Sequence, residues 1–274
     1  GVQTCALPIL KKAVLYIHGY NDYFFQKQLG DSVNAHGYNF YAMDLRKYGR
    51  SILPNQTPFF CKSLTEYFAD IDTALATIRS EGNKKILLMA HSTGGLITPL
   101  YLESKKDNLP VTGLILNSPF LDWNFGWFME KVAIPVVAFV GKFFPDLTVQ
   151  GYGIASYAHS LLKQFKGEWE YDTNWKMING YPKKAGWIKA IQEGQRQVKK
   201  GLKLELPTLV MSSDKSYPET EEWHNEYLSS DIVLNVHDIQ EYAPQLGYLT
   251  VCDTITNGMH DLILSEKAAR DQTY

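Results

Sequence analysis

A serine attacks a carbonyl when a base takes its proton, a further group holds that base, and donors receive the oxyanion. The segment Ala90-His91-Ser92-Thr93-Gly94-Gly95 is where such a serine would stand. It follows the run Lys84 to Ala90, whose centre Ile86-Leu87-Leu88-Met89 reads as a buried strand, and it leads into a helical pattern from Leu96 to Ser104. A serine on so tight a bend takes a strained backbone conformation, and small residues two before and two after it let strand and helix approach. Ala90 and Gly94 meet that need. The bend lifts the hydroxyl above a sheet edge at the positive end of a helix, where developing negative charge is favoured. Pro99, near the start of that helix, costs it one backbone bond.

The base must come from elsewhere in the chain, which has 7 histidines. His260 lies in Asn257-Gly258-Met259-His260-Asp261, just after the last apolar run. His18 sits beside the first strand, and His91, next to Ser92, is expected to face away because neighbours on the bend diverge. His36, His159, His224 and His237 have no comparable position and read as surface residues. Two carboxylates remain open as the group that holds the imidazole. Asp214 directly follows the run Leu206 to Met211, and Asp231 stands in Ser230-Asp231-Ile232-Val233-Leu234. Asp253 lies in the last strand, too close to His260 to orient it easily.

The positioning elements follow from periodicity. Short apolar runs at Val14 to Ile17, Asn39 to Met43, Lys84 to Ala90, Thr112 to Asn117, Leu206 to Met211 and Tyr248 to Ile255 alternate with helical patterns, the signature of crossovers feeding a parallel sheet. Between the second and third runs, Leu64, Tyr67, Phe68, Ile71, Leu75 and Ile78 form one apolar stripe, with Glu66, Asp70 and Arg79 left wet. Gly82-Asn83 closes that helix as a left-handed cap. The rhythm stops from Leu121 to Lys203, a stretch rich in Trp, Phe and Tyr without a clear strand, which reads as a helical cap inserted between two strands.

Composition narrows the class. The 274 residues suffice for a continuous core, and 27 basic against 29 acidic residues leave no electrostatic footprint for nucleic acid. Cys5, Cys61 and Cys252 have no metal-type spacing and point to a reducing compartment. The longest apolar stretches, such as Val132 to Val140, are too short to span a bilayer, and the start has no basic flank followed by an apolar run. The expected setting is therefore cytoplasmic, without stable membrane insertion. Residues 1–9 match nothing that follows and are expected to be a non-native scar outside the fold.

His18-Gly19-Tyr20, Asp44-Leu45-Arg46-Lys47-Tyr48-Gly49-Arg50-Ser51, His91-Ser92-Thr93-Gly94-Gly95 and Met259-His260-Asp261 together make the sequence resemble the α/β-hydrolase family. The resemblance is to its lysophospholipase and monoacylglycerol-lipase-like branch, also called serine-aminopeptidase-like. It implies a doubly wound, mostly parallel sheet with an inserted helical cap: core residues 10–120 and 204–274, cap residues 121–203. It also implies a Ser92, Asp231, His260 triad. In this branch the acid precedes the histidine by about thirty residues; Asp231 does so by 29 and Asp214 by 46, with 213–229 then an insertion. The oxyanion donors are the backbone N–H groups of Thr93, after the nucleophile, and Tyr20, where Gly19 lets the chain turn tightly. Asp44 and Arg46 are expected to close a charge network under the active face.

The implied activity is hydrolysis of a small-molecule acyl or aryl carboxylic ester through an acyl-enzyme, with no metal or organic cofactor and no nucleic-acid partner. An aminopeptidase-like amide hydrolase would use the same triad and needs an acidic group for a free amine, with Glu130, Asp146, Glu168, Glu170 and Asp172 available in the cap. A non-catalytic ligand-binding homologue is the other alternative. For the family's antiparallel strand pair before the first strand and its fuller helix after the histidine loop, this sequence offers only nine residues upstream and 14 after His260, so truncation at both ends and an open sheet edge are expected.

Overall fold

The computed structural model describes residues 2–4 and 11–274. Nine strands are present among them: β1 (Val2–Thr4), β2 (Lys12–Ile17), β3 (Asn39–Met43), β4 (Lys85–His91), β5 (Gly113–Asn117), β6 (Thr148–Gln150), β7 (Lys183–Lys184), β8 (Thr208–Ser213) and β9 (Thr250–Ile255). The helices are α1 (Lys27–Ala35), α2 (Phe68–Ser80), α3 (Thr93–Glu103), α4 (Ile134–Val140), α5 (Ser156–Leu161), α6 (Ala185–Lys199), α7 (Val236–Tyr242) and α8 (Lys267–Thr273). The main sheet runs β1-β3-β2-β4-β5-β8-β9, parallel throughout except for β1. All six strands anticipated from the apolar runs are there, shifted by a residue or two at their ends.

Both sheet faces are covered, which is why the central strands read as unbroken apolar runs. Along β2, Ala13, Leu15 and Ile17 point into the core shared with Ile71, Leu75 and Ile78 of α2 and Leu96 of α3. Val14 and Tyr16 point the other way, to Leu29 of α1 and to Ile263 and Leu264. The α2 stripe begins with a 3-10 turn, Leu64–Tyr67, opened by a Ser63–Glu66 capping box. It ends at Gly82, whose φ of +90° is a left-handed closure.

The fold includes part of the segment expected to lie outside it. Val2–Thr4 pairs antiparallel with β3, Val2 opposite Met43, and three residues are too few to leave a periodic signal. Residue 1 and residues 5–10, Cys5 among them, lie outside the described residues. Similarly, the cap stretch contains the antiparallel β6–β7 pair, whose brevity hid it. The long helix α6 carries the cap on the core. Gly194 faces Leu64, Leu96 and Leu100 so closely that a Cβ would lie 2.7 Å from Leu64 Cδ1. On the cap side, Gly141 at the end of α4 leaves no room for a Cβ against the Ala185 carbonyl, 2.4 Å away. No helix among the described residues is long and apolar enough to cross a membrane.

Candidate active site

The parallel strands β2, β4, β5 and β8 end along one edge, and the loops leaving that edge build the site. Ser92 joins β4 to α3 with φ 50° and ψ −115°, a conformation that L-residues rarely adopt. Its backbone is held from both sides: Ser92 N donates to the Asn117 carbonyl at 3.0 Å, and Phe120 N donates to the Ser92 carbonyl at 3.0 Å. Gly94 is required by space, since a Cβ there would lie 2.5 Å from the His18 carbonyl oxygen. Gly19 packs on the bend itself, its missing Cβ only 3.0 Å from Ser92 Cβ. Its φ is not in the left-handed range, so closeness to Ser92 and not turn geometry is what demands glycine there.

His260 Nε2 lies 3.0 Å from Ser92 Oγ, and His260 Nδ1 lies 2.9 Å from Asp231 Oδ2. A carboxylate can only accept, so Nδ1 carries the proton and Nε2 is left to accept from the serine hydroxyl. Asp231 is fully buried, and its Oδ1 accepts from Val233 N and Leu234 N, each at 2.8 Å. Asp214 is elsewhere: its Oδ1 accepts from Asn257 N at 2.9 Å. The reason is the path of the insertion. After β8 the chain leaves the sheet and returns, so that Asp231 N donates to Lys215 O and Tyr217 N donates to Asp231 O, both at 3.0 Å. Asp231 thereby takes the place beside the strand end that its sequence number hides.

The histidine loop is pinned from β5 and β8. Asn117 Nδ2 donates to Asp261 Oδ1 at 2.7 Å, Leu262 N donates to Asn117 Oδ1 at 3.2 Å, and Ser213 Oγ donates to the Gly258 carbonyl at 2.6 Å. His18 is buried and structural: its Nε2 accepts from Leu45 N at 3.0 Å, so Nδ1 donates to the Gly19 carbonyl at 2.8 Å. His91 departs from expectation. Its Nδ1 bond to the Asn117 carbonyl turns the ring back over the site, 4.8 Å from the His260 ring, and burial lowers its pKa. His159, read as a surface residue, lines the same cavity. Asp44 and Arg46 each enter an ion pair, Asp44 with Arg50 at 2.9 Å and Arg46 with Asp70 at 2.7 Å.

Thr93 is the first residue of α3, so its N–H has no intrahelical acceptor. Tyr20 follows Gly19 at the cavity wall, its ring packed 4.5 Å from Trp187 and 5.5 Å from Phe59. Both residues line, with Ser92 and His260, a cavity of about 1310 Å³ roofed by the cap. Its walls are largely apolar, with Phe120, Trp123, Ile134, Trp187, Ile232 and Leu234 among them. None of the five cap acids lines it; the acidic groups there are Asp22, Glu219 and Glu221. Burial raises the Glu219 carboxyl above its usual range.

Sequence reasoning missed a buried ion pair at the cavity floor, where Lys176 Nζ lies 2.8 Å from Asp22 Oδ1. The two are 154 positions apart, and no local pattern joins them. Asp22, His91 and Asp261 each bring one possible metal-ligand atom within 4.8 Å of the others. Those carboxylates already have partners, Lys176 on Asp22 and both Asn117 and Gln26 on Asp261.

A parallel sheet with a strained serine between strand and helix, and an imidazole at hydrogen-bond distance from it, defines an α/β-hydrolase. The profile of the serine aminopeptidase family, S33, matches residues 9–217, and the chain belongs to that family. The matched region includes Ser92 and ends before Asp231 and His260. No curated protein matches the sequence. Among solved structures, a soluble variant of monoglyceride lipase from Saccharomyces cerevisiae, in complex with a substrate analog, is similar with TM-score 0.71 and 16% identity, over 96% of this chain and 84% of that one. The monoacylglycerol lipase of Paleococcus ferrophilus is similar with TM-score 0.69 and 15% identity, over 99% and 94%. Est1E from Butyrivibrio proteoclasticus, solved with ferulic acid bound, is similar with TM-score 0.58 and 14% identity, over 100% and 93%. At these identities the likeness is one of fold.

Proposed function

We propose that this hydrolase cleaves carboxylic esters of the monoacylglycerol or lysophospholipid kind through an acyl-enzyme on Ser92. One observation carries the reading: the unbroken chain of hydrogen bonds from Ser92 through His260 to Asp231 at the base of an apolar cavity. His260 Nε2 takes the Ser92 proton as Oγ bonds to the ester carbonyl carbon, and Asp231 stabilises the imidazolium that results. The N–H groups of Thr93 and Tyr20 receive the oxyanion. The intermediate collapses by breaking the bond to the alcohol oxygen, which takes the proton from His260 Nε2. Water then gives a proton to His260 and its oxygen to the acyl carbon, and Ser92 leaves with that proton.

The apolar walls suit an acyl or aryl group rather than a sugar or phosphate. Elsewhere in residues 121–203, Trp127, Phe128, Phe139, Phe143 and Phe144 are exposed. The cap comprises residues 121–203 in this reading, and the free Cys61 and Cys252 support a reducing, cytoplasmic setting. Amide hydrolysis is the second reading, supported by Glu219, a half-buried carboxyl in the cavity wall able to hold a free amine.

The test is labelling by a fluorophosphonate together with a panel of nitrophenyl esters of rising chain length, a monoacylglycerol, a lysophospholipid and an aminoacyl arylamide. Labelling lost in Ser92→Ala, with esters turned over faster than the arylamide, is the expected result. A folded wild-type protein that takes no label would instead make it a binder, and a faster arylamide would establish the amide reading.

A further inference from the structure

The residue that offers the second oxyanion donor lies on a loop with no regular structure of its own. From His18 to Gln26, between β2 and α1, the chain is in neither helix nor strand. A backbone N–H stabilises an oxyanion only if it is already aimed when charge develops, so something outside the loop must fix it.

That support comes from the cap. Four consecutive residues are each bound by the segment 172–181. The Tyr20 hydroxyl donates to the Tyr181 carbonyl at 3.4 Å. Asn21 Nδ2 donates to the Met177 carbonyl at 2.8 Å while Asn21 Oδ1 accepts from Met177 N at 2.9 Å. Lys176 Nζ binds Asp22 Oδ1 at 2.8 Å, and Asp172 N donates to the Tyr23 hydroxyl at 2.7 Å. The loop and the cap segment thus run past each other with opposite chain direction, bonded at each step.

The peptide that carries the Tyr20 N–H is itself tied by His18 Nδ1, which donates to the Gly19 carbonyl at 2.8 Å, and two of the cap contacts hold the peptides on either side of it. Asn21 has a φ of 49°, a left-handed conformation that asparagine tolerates and that its paired bonds to Met177 hold. This fixes the peptide plane that follows Tyr20. Asp22 reaches back to the His18–Gly19 peptide, one before the plane that carries the Tyr20 N–H: its Oδ2 accepts from Gly19 N at 3.5 Å, while its Oδ1 is held by Lys176. Lys176 in turn is enclosed by the rings of Phe25, Tyr157 and Tyr171, with its ammonium 5.7 to 5.8 Å from their centroids, and is 6% exposed. An ammonium so placed has nowhere to go without breaking a buried pair.

We propose that the cap segment 172–181 holds the Tyr20 N–H in register with Ser92, with Asn21 and Lys176 as its positioning residues. The inference rests on the ester-hydrolase reading and goes beyond it. The cap is then part of the oxyanion site as well as a roof over the substrate, and the rate of chemistry reports whether the cap is seated.

The test compares Asn21→Gly, Asn21→Asp and Lys176→Met with wild type. Glycine accepts the left-handed backbone and removes both side-chain bonds, aspartate keeps the acceptor alone, and methionine removes the charge at similar length. The kcat on a short nitrophenyl ester is measured per Ser92 titrated to completion with fluorophosphonate, together with KM and the inhibition constant of a trifluoromethyl ketone, which forms an oxyanion on Ser92. Expected for Asn21→Gly is a fall in kcat of roughly ten- to a hundred-fold, the range a misplacement of about 1 Å produces, with KM within about twofold. The inhibition constant should rise in parallel, and Asn21→Asp should fall between.

A merely structural role would lower the fraction of titratable sites and the melting temperature but leave kcat per titrated site unchanged. That result would overturn the proposal. If Lys176→Met fails to fold, the Asn21 pair decides alone. Absence of Ser92-dependent turnover in wild type would bring down the hydrolase reading and this inference with it, a different outcome from active wild type with unaffected variants.

Discussion

The carboxylate of Asp231 lies 2.9 Å from His260 Nδ1, with its second oxygen taking two backbone N–H groups. Such an acid is preorganised: three donors compensate its charge in a fully buried place, and its geometry admits one imidazole tautomer. Asp214 instead accepts from Asn257 N, away from the imidazole.

Asp231→Asn should therefore lower kcat by about ten-thousand-fold, because the amide lets the histidine take the wrong tautomer. Asp214→Asn should leave kcat within a few-fold of wild type. Steady-state kinetics on one nitrophenyl ester decides it, and equal losses in the two variants would count against Asp231.

Gly94→Ala tests the bend. The added methyl meets the His18 carbonyl at 2.5 Å and the Ile17 carbonyl at 2.9 Å, so β2 and the start of α3 must separate. Forcing extra volume into such a place costs about 1–3 kcal/mol. A urea midpoint shifted by that amount, with kcat reduced as well, is expected; an unchanged midpoint would mean that the strand and helix are not in contact there.

How far the sequence foretold this depends on how local each signal is. The central strands were readable because burial on both faces makes them continuous apolar runs, and Ser92 because strand, bend and helix are contiguous. Asp231 needed the spacing of a related branch to prefer it over Asp214. What places it beside β8 is a pairing with Lys215 and Tyr217 across the insertion, and such a return path has no periodicity. The orientation of His91 is hidden from the sequence for a similar reason. Divergence on a bend is a local argument, and the Asn117 carbonyl, from the next strand, is what turns the ring. Asp22 and Lys176 carry no local signal, since only the folded cap brings them together.

That ion pair carries a stability prediction. Burial raises the Asp22 carboxyl, but the Lys176 ammonium and the neighbouring His18 and His91 outweigh it, so the net shift is downward. A depressed carboxyl contributes stability that is present above its unfolded pKa, about 3.9, and lost as pH falls through the folded value. Lys176→Met removes the ammonium that counters the burial of Asp22 and should cost about 3–5 kcal/mol at neutral pH. The double variant Asp22→Asn with Lys176→Met should recover much of that loss in urea denaturation. No recovery would mean that lysine packing, rather than the uncompensated charge, dominates.

His91 supplies a second, earlier step on acidification. Its pKa is lowered by burial, aided by His260 and Lys176 and opposed by Asp261 and Asp22. The native protein therefore holds this ring neutral where the unfolded chain, with a pKa of about 6.5, binds a proton. Its contribution to stability is present above that unfolded value and is lost as pH falls through the folded one. Urea midpoints of the wild type should decline as pH is lowered from 7 to 5. In His91→Asn, which keeps a donor near the Asn117 carbonyl but cannot take up a proton, the decline over that interval should be smaller. Parallel profiles for the two proteins would show that this imidazole does not set the acid limb, leaving the carboxylates around it as the source.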